Sequence, residues 1–175
     1  MSKAVARTVP PVDSPCPCSS ALAYRDCCER IHAGAPATTA EALMRARYSA
    51  YVVGDEAFIA ATWHPTTRPP MTAPDNAPGA PAQTRWLGLD IKRHAADGDT
   101  ATVEFVARFK LNGRAGRLHE ISRFMREAGA WSYVDGSFPA ARTLQVTPDR
   151  TGGNKKTAMA ESKAETKAET KAETQ

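Results

Sequence analysis

Four cysteines fall within thirteen residues, Cys16-Pro17-Cys18-Ser19-Ser20-Ala21-Leu22-Ala23-Tyr24-Arg25-Asp26-Cys27-Cys28, and the rest of the 175-residue chain has none. So tight a group resolves as disulfides, as a redox pair or as a metal site, and each choice forces a different local fold. Disulfides belong to exported proteins, yet Met1-Ser2-Lys3-Ala4-Val5-Ala6-Arg7 leads into no apolar stretch of the kind an export signal carries. Adjacent Cys27 and Cys28 also pair poorly with each other. A redox site is usually C-x-x-C beside a strand-helix-strand pattern, whereas the spacing here is C-x-C, eight residues, then C-C. Four thiolates can close a tetrahedral Zn²⁺ site with bonds of about 2.3 Å, and a site with four protein ligands is structural. One structural Zn²⁺ on Cys16, Cys18, Cys27 and Cys28 is therefore expected, with Leu22 and Tyr24 on the segment that folds back. The metal's binding energy is then folding energy for a piece too small to own a core, so without metal that segment is expected to be unstructured.

The spacing resembles the SEC-C motif, a small zinc-binding module of the SecA translocation ATPase tail and of many bacterial proteins, and the ligand positions carry over to Cys16, Cys18, Cys27 and Cys28. Ser19 departs from it, standing where the motif commonly has glycine. The resemblance implies contact with a protein partner or the ribosome. His32 is a spare donor close by, but four sulfurs complete the shell, so it is expected to be an exposed histidine in the linker His32-Ala33-Gly34-Ala35-Pro36.

The formal charge is +4, a mild excess that permits an RNA or ribosome surface without requiring one. From Arg85 to Arg126 nine Arg and Lys stand against five Asp and Glu. No aromatic-interleaved RNA motif is evident there, so a solvated face is expected and specific nucleic-acid binding is not. No run approaches 18 apolar residues, so no membrane span is expected. Cysteines confined to one knuckle suit a reducing cytoplasm.

Along the chain, residues 1–13 read as a disordered lead and 14–34 as the knuckle. Thr38 to Val53 reads as a helix, with Thr38 and Glu41 at capping-box spacing, Gly54 as terminator and a stripe of Leu43, Met44, Ala46, Tyr48, Ala50, Tyr51 and Val52 facing the core. Asp55 can cap a second helix, Glu56 to Thr62, ended at Trp63-His64-Pro65. Six prolines from Pro65 to Pro81 mark a long loop. The period then changes to two: Trp86 to Ile91, and Thr100 to Leu111 with Ala101, Val103, Phe105, Ala107 and Phe109 on one face. Asn112-Gly113 is hairpin chemistry. Arg117 to Glu127 would suit a helix through Leu118, Ile121 and Met125, but the preceding turn favours a strand with Leu118, Glu120, Ser122 and Phe124 on one face. Ala130 to Gly136 is a last strand. Helices packed on one face of a curved antiparallel meander make an α+β domain over residues 37–146. Beyond 147 the three Lys-Ala-Glu-Thr repeats of Lys163–Thr174 read as a disordered, solvated tail.

Six blocks in this order are similar to the YchJ family: Ala42–Tyr51, Thr62-Trp63-His64-Pro65, Trp86-Leu87-Gly88-Leu89, Val103–Phe109, His119–Phe124 and Trp131–Gly136. The resemblance implies an N-terminal SEC-C knuckle followed by a cone-shaped domain similar to nuclear transport factor 2, whose curved sheet encloses a pocket. Many members carry a second C-terminal SEC-C motif, and this chain has the Lys-Ala-Glu-Thr tail there instead.

Two functions are open to such a chain. One is a zinc-binding accessory or adaptor protein whose knuckle meets a protein or ribosome while the domain offers a pocket around Trp63, His64, Trp86, Glu120 and Ser122. The other is an isomerase- or hydratase-like enzyme, in which a buried carboxylate near a histidine acts as general base. Its candidates are His64, Glu120, Ser122, Glu104, Arg108 and Asp90. The adaptor is the expected reading, and oligomeric state is left open.

Overall fold

The computed structural model describes residues 9–69 and 84–139. The expected lead, the middle of the proline-rich loop and the Lys-Ala-Glu-Thr tail lie wholly or partly outside them. Helix α1 is Cys28–His32, preceded by a 3-10 turn at Tyr24–Asp26. Helix α2 is Ala40–Val53 and α3 is Glu56–Ala61. Strands β1 (Arg85–Asp97), β2 (Thr100–Leu111), β3 (Arg114–Glu127) and β4 (Ala130–Ser137) follow. They form one antiparallel sheet in chain order, β1-β2-β3-β4, so the α+β architecture expected from the change of period holds.

The α2 cap sits one residue later than the capping-box spacing suggests. Thr39, in extended backbone, accepts the Ala42 N–H on Oγ1 at 3.0 Å. Glu41 is thereby released from the cap and pairs with Arg45 one turn on, Oε1 to Nη2 at 2.9 Å. Thr39→Ala should cost about 1 kcal/mol, the usual loss when a side-chain cap goes, whereas Thr38→Ala should be neutral; urea unfolding of both variants distinguishes the two frames. Asp55 caps α3 as expected, accepting from the Phe58 N–H at 3.0 Å.

In the sheet the alternation is faithful. Ala101, Val103, Phe105, Ala107 and Phe109 of β2 are buried under the helices. Asn112 and Gly113 both adopt positive φ, 52° and 77°, the two-residue turn whose twist suits a hairpin. That turn settles the ambiguous segment after it as a strand: β3 pairs with β2 from Leu111↔Arg114 to Thr100↔Met125 without interruption. Irregularities bend the sheet in β1, between Trp86 and Gly88 and between Ile91 and Arg93, and where β3 meets β4 at Arg123/Phe124. After α3 the chain returns to the sheet, where Trp63 bridges Tyr133 of β4 and the His64 N–H donates to the Tyr133 carbonyl at 2.7 Å.

One core runs through the molecule. Cys16, Cys18, Tyr24 and Cys28 of the knuckle belong to the same buried cluster as Leu43, Met44 and Tyr48 of α2 and Val103, Phe105 and Phe124 of the sheet. The knuckle is therefore not a free-standing appendage: it shares its apolar interior with the domain that follows.

Candidate metal centre and pocket

The knuckle folds back through a short bridge between Pro15 and Ala23, with the Cys16 N–H donating to the Leu22 carbonyl at 2.8 Å. This brings Cys16 and Cys18 against Cys27 and Cys28, and their four sulfurs lie within 4.8 Å of one another. Cys18 and Cys27 are 3.5 Å apart and Cys27 and Cys28 3.8 Å. A disulfide needs about 2.05 Å, so all four are free thiols. A tetrahedron with metal–sulfur bonds of ~2.3 Å has edges of ~3.8 Å, close to the 3.5 and 3.8 Å of these two pairs. The donor set fits a soft, tetrahedral metal ion.

Hydrogen bonding among the sulfurs splits their acidities. Cys16 is held far below the ordinary thiol range by its bonds with Cys18 and Cys28. Cys18 is pushed up to about 11, chiefly by its bond to Cys16, and Cys28 is pushed higher by Cys16 and Cys18. Thiolates gathered this closely repel one another, and a bound dication is what would let several ionise together.

The second sphere ties this centre to α2 and β1. Ser49 of α2 places its hydroxyl 3.8 Å from the Cys16 sulfur, and Arg45 donates from Nη1 to the Cys18 carbonyl at 3.3 Å. Ser19 stands at φ 62°, a conformation that favours glycine, yet its hydroxyl accepts the Leu89 N–H of β1 at 3.3 Å. The departure from glycine thus supplies a cross-link. His32 is not the exposed linker histidine expected. It ends α1, with Nε2 2.8 Å from the Ala46 carbonyl and Nδ1 2.7 Å from the Tyr24 hydroxyl. A carbonyl only accepts, so Nε2 carries the proton and Nδ1 accepts from Tyr24. The ring is a clamp between knuckle and helix.

A cavity of about 260 Å³ opens between α2 and the sheet. Trp63, Trp86 and Glu120 line it, with Arg47, Tyr48 and Tyr51 of α2 and Tyr133 of β4. Ser122 is fully buried and supports Glu120, donating to Oε1 at 2.8 Å, while the Tyr133 hydroxyl donates to the same oxygen at 3.0 Å. Burial and then the Glu120 charge push the Tyr133 phenol up. Arg47 is 2% exposed, and burial pulls its guanidinium down from the usual arginine range. Its Nη1 donates to the Ile59 carbonyl at 2.9 Å and to Thr62 Oγ1 at 2.7 Å, and its charged end lies 4.6 Å from the Tyr133 ring centre and 5.3 Å from that of Trp63.

The remaining candidates fall elsewhere. His64 is buried beside Thr66, Nδ1 to Oγ1 at 2.7 Å, with Nε2 3.4 Å from Glu127, and no histidine lines the cavity among the described residues. The carboxylate–histidine pair of an enzymatic site is not assembled there. Glu104 faces the other side of the sheet and meets His119 at 2.8 Å. Asp90 pairs with Lys92 on the exposed surface, and Arg108 is exposed, its guanidinium over Gly88.

Residues 39–136 match the family described as YchJ, middle NTF2-like domain. A UPF0225 protein of Cupriavidus metallidurans is 54% identical over 131 residues, covering 70% of this chain and 88% of the relative. One from Ralstonia nicotianae is 55% identical, covering 69% and 89%. Two solved structures are similar. The solution structure of a SEC-C motif containing protein from Rhodopseudomonas palustris is 32% identical with a TM-score of 0.63, covering 72% of this chain and 99% of that one. The crystal structure of a SEC-C motif containing protein from Psychrobacter arcticus is 29% identical with a TM-score of 0.60, covering 79% and 87%.

Proposed function

Since the chain belongs to the YchJ (UPF0225) family, we propose that it is a zinc-stapled accessory protein of the bacterial cytoplasm, whose knuckle meets a protein partner or the ribosome and whose cone holds a pocket. The observation that carries this reading is the cysteine quartet, four sulfurs within 4.8 Å of one another, three of them on buried residues. Zinc suits four thiolates because it imposes no geometry of its own and has no redox chemistry to disturb. Bound there, it would staple the C-x-C turn to the start of α1 and supply structure rather than a reactive water, since no coordination position is left open.

An inward metal leaves the outer surface of the knuckle for contacts. Of the seven large apolar side chains exposed among the described residues, Leu22 belongs to the knuckle and Val9 and Val12 to the stretch just before it. Leu22 is 52% exposed, although a buried leucine is worth about 1.5–3 kcal/mol. Such exposure supports a partner.

Native mass spectrometry of gently purified protein should show one zinc per chain, and Cys27→Ser should lose stoichiometric metal. Full zinc in that variant would defeat the four-sulfur site. Leu22→Asp should keep its zinc yet fail to co-sediment with ribosomes or with the partner captured by the unaltered protein; a variant that still co-sediments would remove the knuckle from the contact.

A further inference from the structure

Arg47 and Glu120 are both buried and both line the same cavity, yet no ion pair joins them among the described residues; Glu120 reaches Arg47 only through space. Each is half used. Arg47 spends Nη1 on Ile59 and Thr62, and among the described residues nothing hydrogen-bonds its Nε and Nη2 edge. Glu120 accepts Ser122 and Tyr133 on Oε1, and no described residue donates to Oε2. A guanidinium carries five donors and a carboxylate about four acceptor sites, so both residues keep hydrogen-bonding capacity for a ligand in the cavity they line. Between them the cavity wall is aromatic, with Trp63 and Trp86 on it.

The missing partner has a definite chemistry. Two oxygens in one plane match the guanidinium edge. A flat, apolar body suits the aromatic wall. One hydroxyl or N–H proton suits the free Glu120 oxygen. Size agrees: an apolar cavity of ~150 Å³ holds benzene, so about 260 Å³ admits a ring with one or two polar substituents.

We propose that the cavity binds a small, flat hydroxy-carboxylic acid, its carboxylate on Arg47 and its hydroxyl donating to Glu120. This deepens the pocket reading above and rests on it. Lysine cannot stand in for Arg47, because a point charge does not reproduce the fork.

The test uses the metal-loaded full chain, following the three tryptophan indole N–H signals by NMR as benzoate, the three hydroxybenzoates or neutral benzamide is added. Saturable shifts are expected at Trp63 and Trp86, with Trp131, which lies outside the cavity lining, unmoved. Benzoate should bind about tenfold tighter than benzamide, as a charge-assisted pair does over a neutral one, and at least one hydroxybenzoate tighter still. Arg47→Gln should erase the preference for benzoate while benzamide binding persists, which also shows that the variant keeps its cavity. If benzamide matched benzoate in the unaltered protein, the cavity would stand and the Arg47 assignment would be overturned. If no compound moved either indole, the pocket reading would fall together with this one.

Discussion

Removing metal from the cysteine quartet should lower the unfolding midpoint of the entire domain, sheet included, by more than about ten degrees. Composition alone argues for a narrower effect, with the knuckle melting and the sheet standing by itself. The structure joins the two. Cys18, Tyr24 and Cys28 are almost wholly buried in the core that holds Leu43, Val103 and Phe124. The knuckle is further tied by Ser19 to β1, by Cys16 to Ser49 and by His32 to the Ala46 carbonyl. Structural zinc is worth roughly 10–16 kcal/mol in small peptides at neutral pH. Midpoints shift by about 4–8 °C per kcal/mol for domains of 60–100 residues and about 2–4 °C for 150–250, so for a domain between these sizes a share of about four kcal/mol passed into the common core is enough. Far-ultraviolet circular dichroism and tryptophan fluorescence, recorded with and without a strong chelator, should fall together. A fluorescence transition left in place while only the knuckle's signal disappears would show the two parts to be independent.

Gly136→Ala should cost about 3 kcal/mol despite adding a single methyl group. A Cβ at Gly136 would lie 2.1 Å from Glu120 Oε1 and 2.5 Å from its Cδ, so the carboxylate has to leave its position. It cannot do so cheaply: Ser122 and Tyr133 both donate to that oxygen, and both would be left unpaired in a buried setting. Overpacking alone costs about 1–3 kcal/mol, and each stranded buried polar group a further 1–3. The double variant Glu120→Ala with Gly136→Ala should recover part of the loss, because the added methyl then meets space, and a cycle of urea-unfolding energies measures that coupling. Additive losses, or a fully stable single variant, would mean that Gly136 does not hold Glu120 in place.

Periodicity carried most of the architecture. The clean alternation of Thr100–Leu111 and the Asn112-Gly113 turn specify the hairpin, and the cysteine spacing brings four sulfurs together, because each is a local pattern. What escaped is non-local. Arg47 looks like a surface charge by type, although it stands in the apolar stripe with Met44, Tyr48 and Tyr51 at helical spacing; a lone cation in such a stripe was the readable sign of a polar group facing a cavity. Tyr133 is one aromatic among several until β4 is laid beside β3. His32 has two neighbours, Tyr24 and Ala46, that only folding brings together. Thr38 and Thr39 are equivalent by propensity, and packing of α2 decides between them. His64 keeps company with Glu127 rather than Glu120 because the chain returns to β4 beside Tyr133, outside the cavity.

That return has a consequence for solubility. A four-stranded meander has two borders, each a row of backbone groups able to recruit a strand from another copy. At β4 the Trp63–Tyr133 bridge covers one border. The residue that the strand's irregularity leaves over, Val134, has its carbonyl taken by the Thr67 hydroxyl at 2.6 Å. At β1 the other border is interrupted twice and bears Arg85, Lys92 and Arg93, charges and kinks that discourage a foreign strand from adding. The segment that places Trp63 at the cavity therefore also guards the sheet against edge-to-edge aggregation.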